Sequence, residues 1–232
     1  LNSSRGFVFD ADIVKVVSNY NQLKNTLPNV LGKTLPSDFK RIGNFNLSGL
    51  LRITPDQMDA ILSVESQAGT TISDLQLTNI DNIDTAEYNG EIEFVNLDLG
   101  KITEDDSLGK ISLKADVKGK GFDVENINTT IIGKIYNLDF KGYTYKDLKI
   151  NGQFQNKKFD GFLESNDENS KLQFKGLADF SSEVNEFDFT ADIDKLDLQK
   201  TNLFKRDSIS ILTGKIKLDI VGNTLDNIVG KA

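Results

Sequence analysis

Apolar and polar residues alternate with period two in short segments from about residue 43 to residue 222, a pattern that builds an extensive sheet with one dry and one wet face. In Lys110-Ile111-Ser112-Leu113-Lys114-Ala115-Asp116-Val117-Lys118 every apolar side chain falls on one side of an extended strand and every polar one on the other. The alternation returns in Leu172-Gln173-Phe174, in Phe187-Asp188-Phe189-Thr190-Ala191-Asp192-Ile193 and in Ile216-Lys217-Leu218-Asp219-Ile220. Function then turns on whether the dry face closes against a second sheet or stays open as a groove for an apolar guest. The candidate lining residues of such a groove are Ile111, Leu113, Ala115, Val117, Leu172, Phe174, Phe187, Phe189, Ile216, Leu218 and Ile220.

Composition agrees with a half-wet sheet. A hydrophobic share of 38% with 27% charged residues is globular, but lies below the roughly 45–50% of an average domain, a share that also counts glycine. A chain of 232 residues buries roughly 70–75% of its unfolded surface when it folds as one unit, so size alone demands no oligomer. The net charge of -8 and pI near 4.7 oppose binding to phosphate backbones, which makes nucleic acid an unfavourable partner. The same sign disfavours docking on an anionic membrane through a basic patch.

One helical signal interrupts the strands. Across residues 18–32, Tyr20, Leu23, Leu27, Val30 and Leu31 recur at helical spacing, with Ser18 as expected N-cap, Gly32 as expected C′ residue and a kink at Pro28. A further turn is expected at Pro36-Ser37-Asp38-Phe39, and residues 18–41 together read as an amphipathic helical insert lying across the sheet. The rest reads as strands of about 7–13 residues parted by turns at 66–69, 81–84, 103–107, 118–121, 155–158 and 165–169. In Glu91-Ile92-Glu93-Phe94-Val95-Asn96-Leu97-Asp98-Leu99 the apolar phase slips by one after Phe94, which predicts a β-bulge. Short connections favour an antiparallel meander of about twelve strands, roughly 55–60 Å across, and a sheet of that size has to curl. The fold expected is all-β: an elongated, mostly antiparallel curled sheet with a groove and a short helical insert near the N-terminus. No composition break divides residues 1–232, which read as one continuous domain.

Sites of conventional chemistry are scarce. With no histidine and no cysteine, the Ser-His and Cys-His nucleophile arrangements, thiolate metal sites and disulfides are all excluded. Carboxylates sit at turns or alternate outward, as solvated groups do. Glu104-Asp105-Asp106 and Asn166-Asp167-Glu168-Asn169 lack the spacing of a calcium loop and read as turns. Lys118-Gly119-Lys120-Gly121-Phe122 is not followed by the residues of a phosphate loop and reads as a hairpin turn or bulge. No catalytic residue, metal or cofactor is expected, and the chain reads as a non-enzyme. Fifteen phenylalanines without a tryptophan suit core packing, and equally a guest recognised by apolarity. The start carries no signal-peptide apolar region and no methionine, so the chain reads as a segment of something longer.

Several of these stretches resemble the carboxy-terminal region of the TamB (translocation and assembly module) family, relatives of the AsmA-like proteins of Gram-negative envelopes. The similarity runs from about Ala11 onward, through Leu27-Pro28-Asn29-Val30-Leu31-Gly32-Lys33-Thr34-Leu35-Pro36, Ile42-Gly43-Asn44-Phe45-Asn46-Leu47-Ser48-Gly49 and Tyr88-Asn89-Gly90-Glu91-Ile92. It continues in Leu97-Asp98-Leu99-Gly100, Leu108-Gly109-Lys110-Ile111-Ser112-Leu113 and Gly142-Tyr143-Thr144-Tyr145-Lys146-Asp147-Leu148. The resemblance implies a β-taco-like trough in the periplasm, within a parent protein anchored in the inner membrane. It implies phospholipid transport or outer-membrane protein assembly and secretion as the function. The implied partners are acyl chains or nascent outer-membrane strands, with an outer-membrane barrel assembly partner engaged through parts outside this chain. The rival expectation is a closed β-sandwich or barrel serving as an adhesion or ligand-binding module of the cell envelope.

Overall fold

The computed structural model describes residues 7–26, 37–80, 85–122, 126–204, 210–222 and 229–231. Thirteen strands pair in strict chain order: β1 Phe9–Ser18, β2 Phe45–Ile53, β3 Gln57–Ser66, β4 Gly69–Thr78, β5 Glu87–Asp98, β6 Leu108–Lys120, β7 Asn128–Phe140, β8 Tyr143–Gln155, β9 Lys158–Asp167, β10 Ser170–Asp179, β11 Glu186–Asp197, β12 Ile211–Val221 and the three-residue β13 Val229–Lys231. Every pairing is antiparallel, and the sheet is curled but not closed, with β1 at one edge and β13 at the other. The all-β curled sheet expected from the alternation is therefore present, in place of a closed sandwich or barrel. Tight turns enforce the meander: Lys141-Gly142 and Asn156-Lys157 each have two successive positive φ values, the hairpin geometry that matches strand twist.

Three helical pieces decorate one end of the strands. Helix α1 (Tyr20–Thr26) is capped by Asn19, whose Oδ1 accepts the Gln22 N–H at 3.1 Å. Ser18, expected as the cap, instead ends β1 and is buried. A 3-10 turn (Ser37–Ile42) follows, and helix α2 (Leu99–Thr103) is capped by Asp98 through the Lys101 N–H at 3.0 Å. Leu27, Pro28, Val30, Leu31, Gly32, Pro36 and the 81–84 turn lie outside the described residues. The turn expected at 118–121 begins later, because Lys118, Gly119 and Lys120 stay paired in β6 opposite β5 and β7.

Registers place one apolar rung after another on the same face. The rung through Leu113 runs from Val16 through Leu47, Val64, Thr71 and Phe94 to Leu113, then on through Ile135, Leu148, Ser165 and Leu172 to Ile193. Extra residues flank this rung in strand after strand. Val14 and Lys15 in β1, Val95 and Asn96 in β5, Tyr136 in β7 and Asp194 in β11 each interrupt the pairing with a neighbour. An added residue bends its strand and raises the local twist, so bulges aligned across the sheet make a bend line along which it curls. The phase slip after Phe94 is one member of that line.

Glycine is needed where the bent strands approach most closely. Gly90 has φ 149°, and a Cβ there would sit 2.0 Å from the Asp74 carbonyl oxygen, whereas one on Gly214 would meet nothing within 4 Å. Gly90→Ala should therefore lower stability by about 2–3 kcal/mol. Gly214→Ala, which carries the backbone strain without the collision, should cost clearly less, as urea unfolding midpoints of the two variants will report.

Candidate groove and its rims

The eleven residues singled out by alternation share one face. Leu113 connects across β7, β8 and β9 to Leu172 as above, and Ala115 connects through Gly133, Ile150 and Leu163 to Phe174, Ala191 and Ile216. Val117 leads through Ile131, Gly152, Gly161 and Gly176 to Phe189 and Leu218. Phe187 and Ile220 lie on the next rung, and Ile111 lies beyond Leu113 toward the helical end. On the three rungs through Leu113, Ala115 and Val117, Ser165 of β9 is the one polar residue between β6 and β12.

Exposure divides the face into two sections. Ile111, Leu113, Ala115 and Val117 are only 4–7% exposed; the first three belong to the enclosed core with Leu97, Ile135 and Leu148, and Val117 to a second core with Ala60, Leu77 and Tyr88. Leu172, Phe174, Phe187, Phe189, Ile216, Leu218 and Ile220 are half-buried, on strands nearer the β13 edge. Curling packs the middle strands' inner side chains on one another; on β10–β12, Ala191, Ile193 and Leu196 are buried as well, while Phe174, Phe187, Phe189, Ile216, Leu218 and Ile220 keep part of their apolar surface accessible.

The two rims differ. At the helical rim, Leu99 and Ile102 of α2 and Ile42 of the 3-10 turn pack onto the central core. Arg41 ties the two helical pieces together, donating from Nη1 to the Ile102 carbonyl at 2.8 Å and pairing with Glu104 at 2.7 Å. Farther along, Leu198 and Leu203 from the segment after β11 pack onto Ile193 and Leu196. Tyr145 Oη donates to the carbonyl of the fully buried Thr201 at 3.3 Å, anchoring that segment under β8. The opposite rim is aromatic, with ring pairs Tyr88–Phe122 at 4.9 Å and Phe180–Phe187 at 5.8 Å, and Phe174–Phe189 at 4.5 Å lies on the face between the rims. Sequence reading missed both the anchoring segment and the glycine row Gly152–Gly161–Gly176. The row was detectable only as three glycines at strand centres. A Cβ on Gly152 would lie 2.6 Å from the Phe159 ring.

Polar groups near the groove serve structure. Asp167 is 4% exposed and accepts from Tyr143 Oη at 2.5 Å, the Lys146 N–H at 3.1 Å and the Asn169 N–H at 2.9 Å. Its oxygens are thus taken by the protein, and Oδ1 of Asp105 accepts the Ser107 N–H. Neither acidic turn gathers a metal set, and no cluster of three metal-ligating side chains occurs among the described residues. No helix among them is long and apolar enough to cross a membrane, which says nothing of membrane-crossing strands. On the outer face, Lys114–Glu91, Lys149–Glu164 and Lys215–Asp192 pair at 2.7–2.8 Å, exposed contacts that water and salt screen and that add little to stability. In comparisons with protein-family models, curated proteins and solved structures, nothing matches the chain.

Loss of water around Tyr143 pushes its phenol up to about 12, and the adjacent Asp167 carboxylate adds to the rise. Because the folded value is raised, this contribution to stability is complete below pH ~10 and is lost as pH climbs through the folded value. A spectrophotometric titration should find one of the five tyrosines ionising near pH 12. In Asp167→Asn that step should move toward the ordinary value near 10.

Proposed function

We propose that this chain is a non-enzymatic groove segment of a TamB-like periplasmic bridge, and that its inner face shields phospholipid acyl chains in transit between membranes. The observation that carries the reading is the run of partly exposed, wholly apolar side chains on the inner face of β10–β12, among them Phe174, Phe189 and Leu218, continuous in register with an enclosed core. Shielding hydrocarbon from water is worth roughly 0.8 kcal/mol per methylene, so a row of Leu, Ile and Phe side chains stabilises a chain of many methylenes without any polar handle. Its parent would be anchored in the inner membrane and engage an outer-membrane barrel assembly partner through parts outside this chain.

Among apolar guests, the chemistry of a sheet face favours hydrocarbon over a nascent strand. The backbone groups of β10 and β11 are committed to their ladders. A peptide lying on that face would desolvate its own N–H and C=O groups with no partner, at roughly 1–3 kcal/mol each. An acyl chain has no such groups. A client strand of an outer-membrane protein would fit instead at a sheet edge, where main-chain bonding is possible. The β1 edge carries Phe9, Val14 and Val17 at 53–87% exposure, which favours this second reading for assembly and secretion.

The test is native mass spectrometry of protein purified from bacterial membranes without delipidation, paired with displacement of a fluorescent fatty acid. Phe189 is half-buried, so Phe189→Asp should remain folded and lose acyl-chain binding at least tenfold. Leu113→Asp, which puts a charge into the enclosed core, should instead unfold the protein. A folded Phe189→Asp protein that retains lipid at the original level would overturn the acyl-chain reading.

A further inference from the structure

The outer face, charged over most of its width, carries an apolar patch on β1–β4. Leu50 and Ile61 lie directly opposite each other in the β2–β3 ladder and are 53% and 48% exposed. Their cross-strand partners along the same rung are acidic on both sides, Asp12 opposite Leu50 and Asp74 opposite Ile61. The rung on one side adds Asp10 and Asp59, and the rung on the other adds Ile72, 38% exposed, beside the unpaired Val14 of the β1 bulge, 87% exposed. Leu50, Ile61, Asp10, Asp12, Arg52 and Asp59 line a concavity of about 510 Å3. Exposed aliphatic side chains gathered in a concavity and rimmed by polar groups mark an interaction surface rather than an ordinary wet face.

Charge selects the partner. Asp10 is engaged by Arg52 at 3.4 Å, and Asp59 accepts from Gln57 at 2.7 Å and Gln76 at 3.3 Å. Asp12 and Asp74 engage no ion-pair partner among the described residues. They lie three strand spacings apart, roughly 14 Å, with the two aliphatic side chains between them. An extended segment rises about 3.3 Å per residue, so its residues i and i+4 are about 13 Å apart and share a face with i+2. We propose that this patch docks an extended, basic-apolar protein segment crossing the strands, held by its side chains while its backbone stays hydrated on the open outer face and so escapes the desolvation it would suffer inside the groove. Lysine or arginine at i and i+4 meets Asp12 and Asp74, and an apolar side chain at i+2 seats between Leu50 and Ile61. A second copy of this acidic chain is disfavoured by like charge, and a nucleic acid by the carboxylates.

The test uses the full chain and a synthetic peptide repeating lysine-threonine-leucine-threonine, with binding followed by fluorescence anisotropy at low and high salt. The lysine peptide should bind, weaken at least tenfold in both Leu50→Ser/Ile61→Ser and Asp12→Asn/Asp74→Asn, and weaken with salt. Both pairs are exposed, so circular dichroism and the unfolding midpoint should be unchanged. Three results would overturn the proposal: equal binding by the glutamate version of the peptide, full binding retained by the serine pair, or concentration-dependent self-association that the serine pair abolishes. Acyl-chain binding by Phe189→Asp does not enter this readout, so failure here leaves the groove reading standing.

Discussion

A flat sheet of thirteen strands would leave its dry face in water, and this one escapes that cost because it bends along a line of inserted residues. Val14 and Lys15, Val95 and Asn96, Tyr136 and Asp194 fall beside one rung of the sheet, each re-aiming its strand at about the same depth. The bend brings the inner side chains of β5–β8 over one another and reduces Leu113 and Leu148 to 5% and 3% exposure. Glycines such as Gly90 and Gly152 provide the clearance the bent strands need, and α2 with the 3-10 turn covers one rim.

That single constraint yields two kinds of surface from one alternating pattern. Where the curl is tight, the apolar face is a core, held by the usual gain from burying Leu, Ile and Val. Toward β10–β12 the same face is half-covered. The aromatic pair Phe174–Phe189 there offers area without hydrogen-bonding groups. A guest recognised only by apolarity can use such a surface with little specificity. This suits a conduit better than a pocket shaped for one molecule.

Much of this was legible in the sequence. Alternation placed Ile111 through Val117, Leu172, Phe174 and Ile216 through Ile220 on one face, and the slip after Phe94 located a real bulge. The same rule reaches the other bulges: apolar phase changes between Ile13 and Val16, between Ile135 and Leu138, and between Ile193 and Leu196. What alternation cannot separate is the enclosed β6 side chains from the half-open ones on β10–β12, because that depends on what the curl brings opposite, a tertiary effect. Asn19 displaced Ser18 as the helix cap because the strand pairing Ser18 with Phe45 extends to the last residue before it. The anchoring of Thr201 by Tyr145 spans 56 positions and leaves no local signal.

The central claim is that one apolar face is closed at β6 and open at β12. The chain has no cysteine, so single cysteines introduced as Leu218→Cys and Leu113→Cys can report on it by their rate of modification with a water-soluble thiol reagent. The account predicts rapid modification at position 218, slowed at least tenfold by a long-chain fatty acid, and little modification at position 113 in the folded protein. Equal rates at the two positions, or no protection of position 218 by the fatty acid, would contradict it.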